Sequence, residues 1–248
     1  MYQLGEFAIQ VSMKLFAVNR KNLIERIRRS VPDLPKSAII VLQGGKSMNR
    51  NCTDHEEIFR QESYFHWCFG VTEPDFHGAI EVDTGKSILF PPLLPKEYGI
   101  WMGKVQPEEF FQKKYGVDEV HFDNKITDVL TEKKPSKILV LYGLNTDSGN
   151  YTTTTANFNG IEKFSVDKDV LHKNICECRV FKSEEELAVM RYANKISSGA
   201  HKEIMKNIKP GAYEFQMESI FGDYCYRNGK SKIFDSTHID FLPLTSLS

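Results

Sequence analysis

The strongest constraint on this chain is a run too short and too β-branched to be anything but a buried strand. Ser37 to Gln43 (SAIIVLQ) stops at Gly44-Gly45, which leaves no length for amphipathic helical turns. Gly78 to Val82 and Lys86 to Phe90 are similar runs on either side of Asp83-Thr84-Gly85, whose turn chemistry predicts a hairpin. Lys137 to Tyr142 (KILVLY) predicts another buried strand. Helical patterns alternate with these runs. Asn19 is placed to cap a helix reaching Val31, with Leu23, Ile27 and Val31 on one stripe and Arg28 and Arg29 in the last turn. Pro107 to Tyr115 reads as a second helix, with Pro in its first turn and Gly116 past its end. Strands alternating with helices predict an α/β domain over residues 1–178.

The pattern changes near Arg179. Ser183 followed by Glu184, Glu185 and Glu186 forms a capping box. Behind it Leu187, Met190, Ala193, Ile196, Ala200, Ile204 and Ile208 recur every three or four residues, the stripe of one long helix stopped by Pro210-Gly211. A second helix is expected from Tyr213 to Tyr226, broken by Asn228-Gly229. Two helices in so short a segment are not expected to build a core of their own, and Gly199 should weaken the longer one. Residues 230–248 have no sustained period. Their metal-competent Asp235, His238 and Asp240 sit on an irregular stretch without the rigid support that a metal centre needs.

Charge excludes some classes of function. The 32 basic and 33 acidic residues leave a net charge of −1, so no strong field favours nucleic acid or an anionic membrane. No stretch of eighteen apolar residues spans a bilayer, and the opening MYQLGEFAIQ lacks the basic and apolar regions of a signal peptide. Five cysteines, an odd number with only Cys176 and Cys178 close in sequence, suit reduced thiols in the cytoplasm. Glycosylation acceptors at Asn51 and Asn150 then read as chance matches.

Several short motifs fail on their surroundings. Gly45-Lys46-Ser47 and Gly85-Lys86-Ser87 look like ends of phosphate loops, but Ile40 and Ile80 stand where the first glycine belongs. Asp83-Thr84-Gly85 and Asp147-Ser148-Gly149 look like aspartic-protease loops, but Glu81-Val82 and Asn145-Thr146 are too polar to precede a shielded carboxylate pair. Cys176-Glu177-Cys178 lacks zinc-knuckle spacing and reads as a buried thiol pair. No Ser-His-Asp or Cys-His arrangement is legible, and the aromatics Phe59, Tyr64, Phe65, Trp67 and Phe69 read as core.

Longer segments carry a resemblance. Phe59 to Pro74 (FRQESYFHWCFGVTEP), Val82 to Ser87 (VDTGKS), Trp101 to Lys104 (WMGK), Asn145 to Gly149 (NTDSG), Glu177 to Lys182 (ECRVFK), Asn194 to Ser198 (NKISS) and Tyr224 to Tyr226 (YCY) are similar, in order and spacing, to the N-terminal portion of the prolidases. These are the Xaa-Pro dipeptidases of the pita-bread aminopeptidase P/prolidase family, and the similarity covers residues 7–229. It implies a mixed sheet flanked by helices over 1–178, the linker and first helices of a catalytic domain over 179–229, and a divergent tail over 230–248. It implies hydrolysis of dipeptides with C-terminal proline by two manganese ions, held by Asp, His and Glu of the catalytic domain. The similarity stops at Lys230, before those positions, so no catalytic or metal-binding residue carries over, and this chain alone is expected to be inactive. The one residue the resemblance places near an active site is Trp101, either reaching toward the partner subunit's site or simply anchoring its loop. The implied partners are a second copy or a full-length prolidase subunit. A non-catalytic module that pairs with full-length prolidase is the alternative function, and an independent small-molecule-binding domain is a third.

Overall fold

The computed structural model describes residues 8–152 and 155–229, so the tail with Asp235, His238 and Asp240 lies outside the described residues. The chain divides into two compact units, one of them Met13–Phe181 and the other formed by the remainder. The expected 178/179 boundary falls at the end of a helix, and the first unit runs three residues further.

The first unit opens with α1 (Lys14–Ser30), followed by β1 (Ile39–Gln43), α2 (Ser63–Phe69), β2 (His77–Glu81) and β3 (Ser87–Phe90). Then come α3 (Tyr98–Met102), α4 (Glu108–Tyr115), β4 (Glu119–Val120), α5 (Ile126–Lys133), β5 (Ile138–Val140), β6 (Val166–Asp167) and α6 (Leu171–Cys178). The strands form one mixed sheet in the order β4-β3-β2-β1-β5-β6. Only β2 runs against the others, being antiparallel to both β1 and β3, while β4, β5 and β6 pair in parallel.

Period-two alternation sends successive residues of β1 into two cores. Ile40 and Leu42 join Leu23 and Ile27 of α1, Phe65 and Phe69 of α2, and Ile175 of α6. Ile39 and Val41 join Ile88, Ile138, Val140, and Ile126 and Leu130 of α5. The sheet is thus covered on both faces, which is why its strands read as continuous apolar runs.

Asn19 corrects the expected helix start. It sits in the interior of α1, fully buried, and its amide donates to the Trp67 carbonyl at 3.0 Å. Arg20 beside it donates to the Cys68 carbonyl at 2.9 Å. Helix ends leave carbonyls without intrahelical donors, and α1 supplies donors to the last turn of α2. Gly70 ends α2 at φ 68°, and Phe16 packs so close that a Cβ there would lie 2.3 Å from its ring.

The second unit contains α7 (Glu184–Asn207) and α8 (Glu214–Gly229). The capping box is present: Glu186 N donates to Ser183 Oγ at 3.2 Å, and Ser183 N donates to Glu186 Oε2 at 2.8 Å. Two expectations fail here. Asn228 and Gly229 belong to the last turn of α8 rather than breaking it. The pair also builds a small core, in which Ile196 and Ala200 pack with Phe221 and Cys225. Gly199 admits the Tyr224 ring, whose hydroxyl would lie 2.4 Å from a Cβ at that position. The glycine is a packing site, and the local weakness expected from propensity is offset by that contact.

Candidate functional site

Because five strands share one direction, the segments after β1, β3, β4 and β5, and the one before β2, emerge at the same end of the sheet. Ligand sites in open α/β sheets gather at this carboxyl end. Here it carries most of the first unit's exposed large apolar side chains. Met48 and Ile58 follow β1; Leu93, Tyr98, Ile100, Trp101 and Met102 follow β3; Tyr142, Leu144 and Tyr151 follow β5. Scattered single exposed apolar residues are ordinary on a protein surface, but here ten of them follow strands that end on the same side of the sheet.

Two hairpin arms frame this end. In the arm after β1, Glu57 N donates to Met48 O and Arg50 N to His55 O, both at 2.8 Å. In the arm after β5, Asn145 N donates to Asn150 O at 2.8 Å and Thr152 N to Gly143 O at 2.9 Å, with Tyr142 and Tyr151 stacked at 5.0 Å. Their bases are fixed by side chains. Gln61 Oε1 accepts from Gly45 N at 2.6 Å while its amide donates to Glu73 O at 2.9 Å. Gln43 Oε1 accepts from Asn157 N at 3.0 Å. Leu93 N donates to Asp123 Oδ1 at 2.9 Å and holds the start of the segment after β3.

Trp101 lies between these arms in sequence, on the single turn α3. It is 84% exposed, with Ile100 at 75% and Met102 at 67%. A tryptophan that exposed makes little burial contact with the rest of the first unit. The turn starts where Tyr98 N donates to Pro95 O at 3.0 Å and ends at Gly103, φ 86°, a conformation that favours glycine.

His77 is the ionisable group set deepest at this end. Burial lowers its pKa, its Nδ1 is enclosed without a hydrogen-bond partner, and its Nε2 lies 3.4 Å from Asn157 O. The imidazole is therefore neutral at pH 7 and structural in its surroundings, packed edge-on to Phe158 at 6.5 Å.

The rejected motifs find ordinary roles. Asp83-Thr84-Gly85 is the β2–β3 turn, where Asp83 Oδ2 accepts from Ser37 N at 2.7 Å. In Asp147-Ser148-Gly149, Asn145 Oδ1 accepts from Asp147 N at 2.9 Å and Ser148 N at 3.1 Å. The two turns stand at opposite ends of the sheet, so no carboxylate pair forms. Phe65, Trp67 and Phe69 are core as expected. Cys176 and Cys178 correct the buried-pair reading, since both are partly exposed and neither is disulfide-bonded.

Among the described residues no three His, Cys, Asp or Glu side chains converge as a metal centre requires, so these residues do not fit a two-manganese site. No described helix is long and apolar enough to cross a membrane.

Comparison with known proteins places this geometry. The family of the aminopeptidase P N-terminal domain matches residues 16–142. The Xaa-Pro dipeptidase of Homo sapiens is 51% identical over 228 residues, covering 92% of this chain and 46% of that protein. A probable Xaa-Pro aminopeptidase of Verticillium alfalfae is 31% identical over 219 residues, 88% of this chain and 46% of that one. The chain thus spans about half the length of the relatives it matches. In fold it is similar to Pseudomonas aeruginosa aminopeptidase PepP, with a TM-score of 0.68 at 22% identity over 90% of this chain and 50% of that one. A putative aminopeptidase P from Bacillus anthracis gives 0.70 at 19% identity, over 89% and 53%.

Proposed function

The chain belongs to the aminopeptidase P/prolidase family through its N-terminal domain, and from that premise we propose that it is the subunit-pairing and active-site-entrance part of a manganese-dependent Xaa-Pro dipeptidase. The observation that carries this reading is the apolar end of the sheet, with Trp101 at its most exposed point. Aromatic side chains presented on a rigid base are the usual anchors of protein interfaces. In this reading the end pairs with a second copy or with a full-length Xaa-Pro dipeptidase subunit, and Trp101 narrows the mouth of the partner's site. The dipeptides ending in proline are the substrates of that assembly, and the cytoplasm, where five free cysteines stay reduced, is its compartment.

Catalysis in this reading belongs to the partner's metal centre, and this chain contributes no metal ligand. Purified chain should release no proline from glycyl-proline with manganese. Release at a few percent of a full-length control would overturn that part.

The non-catalytic role has its own test. Co-expressed with a full-length Xaa-Pro dipeptidase, the chain should co-purify as a heterodimer, and Trp101→Ala should weaken pairing or raise the KM for dipeptide with the melting temperature unchanged. Monomeric behaviour at all concentrations, alone and in co-expression, would remove the interface reading.

A further inference from the structure

A second cluster of nucleophilic and titratable side chains adjoins the arm after β5 but includes none of the exposed apolar residues of that end. Helix α6 carries His172 and Cys176 one turn apart on one face. Cys176 Sγ lies 3.5 Å from His172 Nε2 and 3.2 Å from the Tyr64 hydroxyl, which α2 brings in from the other side. The Arg179 guanidinium lies 4.5 Å from the Tyr64 ring centre and donates to Ser63 Oγ at 3.4 Å. The imidazole is held in place: Gly143 approaches so closely that a Cβ there would stand 2.0 Å from His172 Nδ1, and the Tyr64 ring meets it edge-on at 5.8 Å.

We propose that Cys176 is the reactive thiol of this chain, a modification site that undergoes exchange with a low-molecular-weight disulfide of the glutathione class. His172 Nε2 accepts the thiol proton. The resulting thiolate attacks one sulfur of the incoming disulfide, a new S–S bond forms to Cys176, and the incoming S–S bond breaks. The departing half leaves as a thiolate and takes the proton from His172, so one disulfide and one thiol go in and one of each comes out. The Tyr64 hydroxyl is placed to donate to the attacking sulfur, and the Arg179 guanidinium lies over the Tyr64 ring. Burial lowers the His172 pKa and keeps the imidazole free to accept at neutral pH. Tyr64 is pushed up to about 12, by burial first and then by Cys176, and so stays a donor.

The other thiols lack this setting. Cys68 and Cys225 are buried, and burial pushes both thiols up. Cys178 is also pushed up by burial, and its thiol donates to Asn22 O at 3.8 Å. Cys52 is exposed near the tip of the first arm and serves as an ordinary reference thiol.

The test uses the full chain with glutathione disulfide at pH 7, with sites mapped by mass spectrometry after the remaining thiols are alkylated. Cys176 should gain glutathione at least about tenfold faster than Cys52. His172→Gln should bring Cys176 down to the Cys52 rate, and Tyr64→Phe, which keeps the ring, should slow it about threefold. Cys52 reacting as fast as Cys176 in the unchanged chain would overturn the proposal. So would an undiminished Cys176 rate in His172→Gln that keeps its melting curve. Should that variant fail to fold, Tyr64→Phe decides: an unchanged rate rejects the built thiol site.

Discussion

In the sheet unit all five residues of β1 are buried, alternate side chains passing to the two faces between α1 and α5. In the helical pair the core is one seam, Ile196 and Ala200 against Phe221 and Cys225, while Met205, Tyr213, Phe215 and Tyr226 stand more than half exposed. A covered sheet buries both sides of each strand. Two helices bury one stripe each and leave the rest to water or to another surface. The comparison teaches that one chain can hold a unit stabilised by layers beside one stabilised by a single contact line. Perturbations of similar chemistry should therefore cost very different amounts in the two.

The largest expected effect is Phe69→Ala. This ring is fully buried, packs tilted against Phe65 at 5.2 Å between ring centres, and contacts Gly78 and the Arg20 guanidinium. Its loss should cost the sheet unit about 3–5 kcal/mol in denaturant unfolding, and a cost near 1 kcal/mol would show that its core is no better packed than the seam. Gly199→Ala should come next and separates propensity from packing. Propensity alone promises a gain of about 1 kcal/mol. The Tyr224 ring, with carbons 2.7 Å from the new Cβ, should turn that into a net loss of about 1–2 kcal/mol in the helical pair. Higher helicity and melting temperature would mean that Tyr224 simply moves aside.

Ser183→Ala should follow, costing about 1 kcal/mol through loss of the cap to Glu186 N, read as faster amide exchange in the first turn of α7. Acid should act on the sheet unit with smaller increments. Burial raises Asp118, but donation from Ser87 N and Oγ outweighs it and the net shift is down; Asp167, donated to by Val170 N and Asp169 N and by Lys137, behaves alike. The folded state then holds fewer protons than the unfolded chain. The stability these groups contribute is complete above about pH 4 and is lost as pH falls through their lowered values. A melting temperature flat from pH 5 to 2 would contradict it. The smallest effect is expected from removing residues 182–248, which should leave the melting temperature of the sheet unit within about 3 °C and raise solubility. A larger fall would make the helices part of the same cooperative unit.

Sequence periodicity was enough for β1, the β2–β3 hairpin, β5, α4 and the capped start of α7, because each combines an apolar period with a local stop or cap. It was also enough for the family, through long segments such as FRQESYFHWCFGVTEP. The edge strands β4 and β6 have two residues each and carry no period to read. Helix α2 was hidden because its core aromatics mask the helical pattern and its cap is Glu62. Trp101 was legible as a motif, but its exposure was not: whether an indole packs or projects depends on what the base of its segment leaves open. Asn19, His172, Tyr64 and Cys176 show the same limit. Local composition decides which segments become strands and helices, because propensity, period and capping act within a few residues. Only the tertiary structure turns Asn19 from a cap into a donor for another helix, Gly199 into a seat for Tyr224, and three residues from two separate helices into one thiol site, because those contacts join positions up to 112 residues apart.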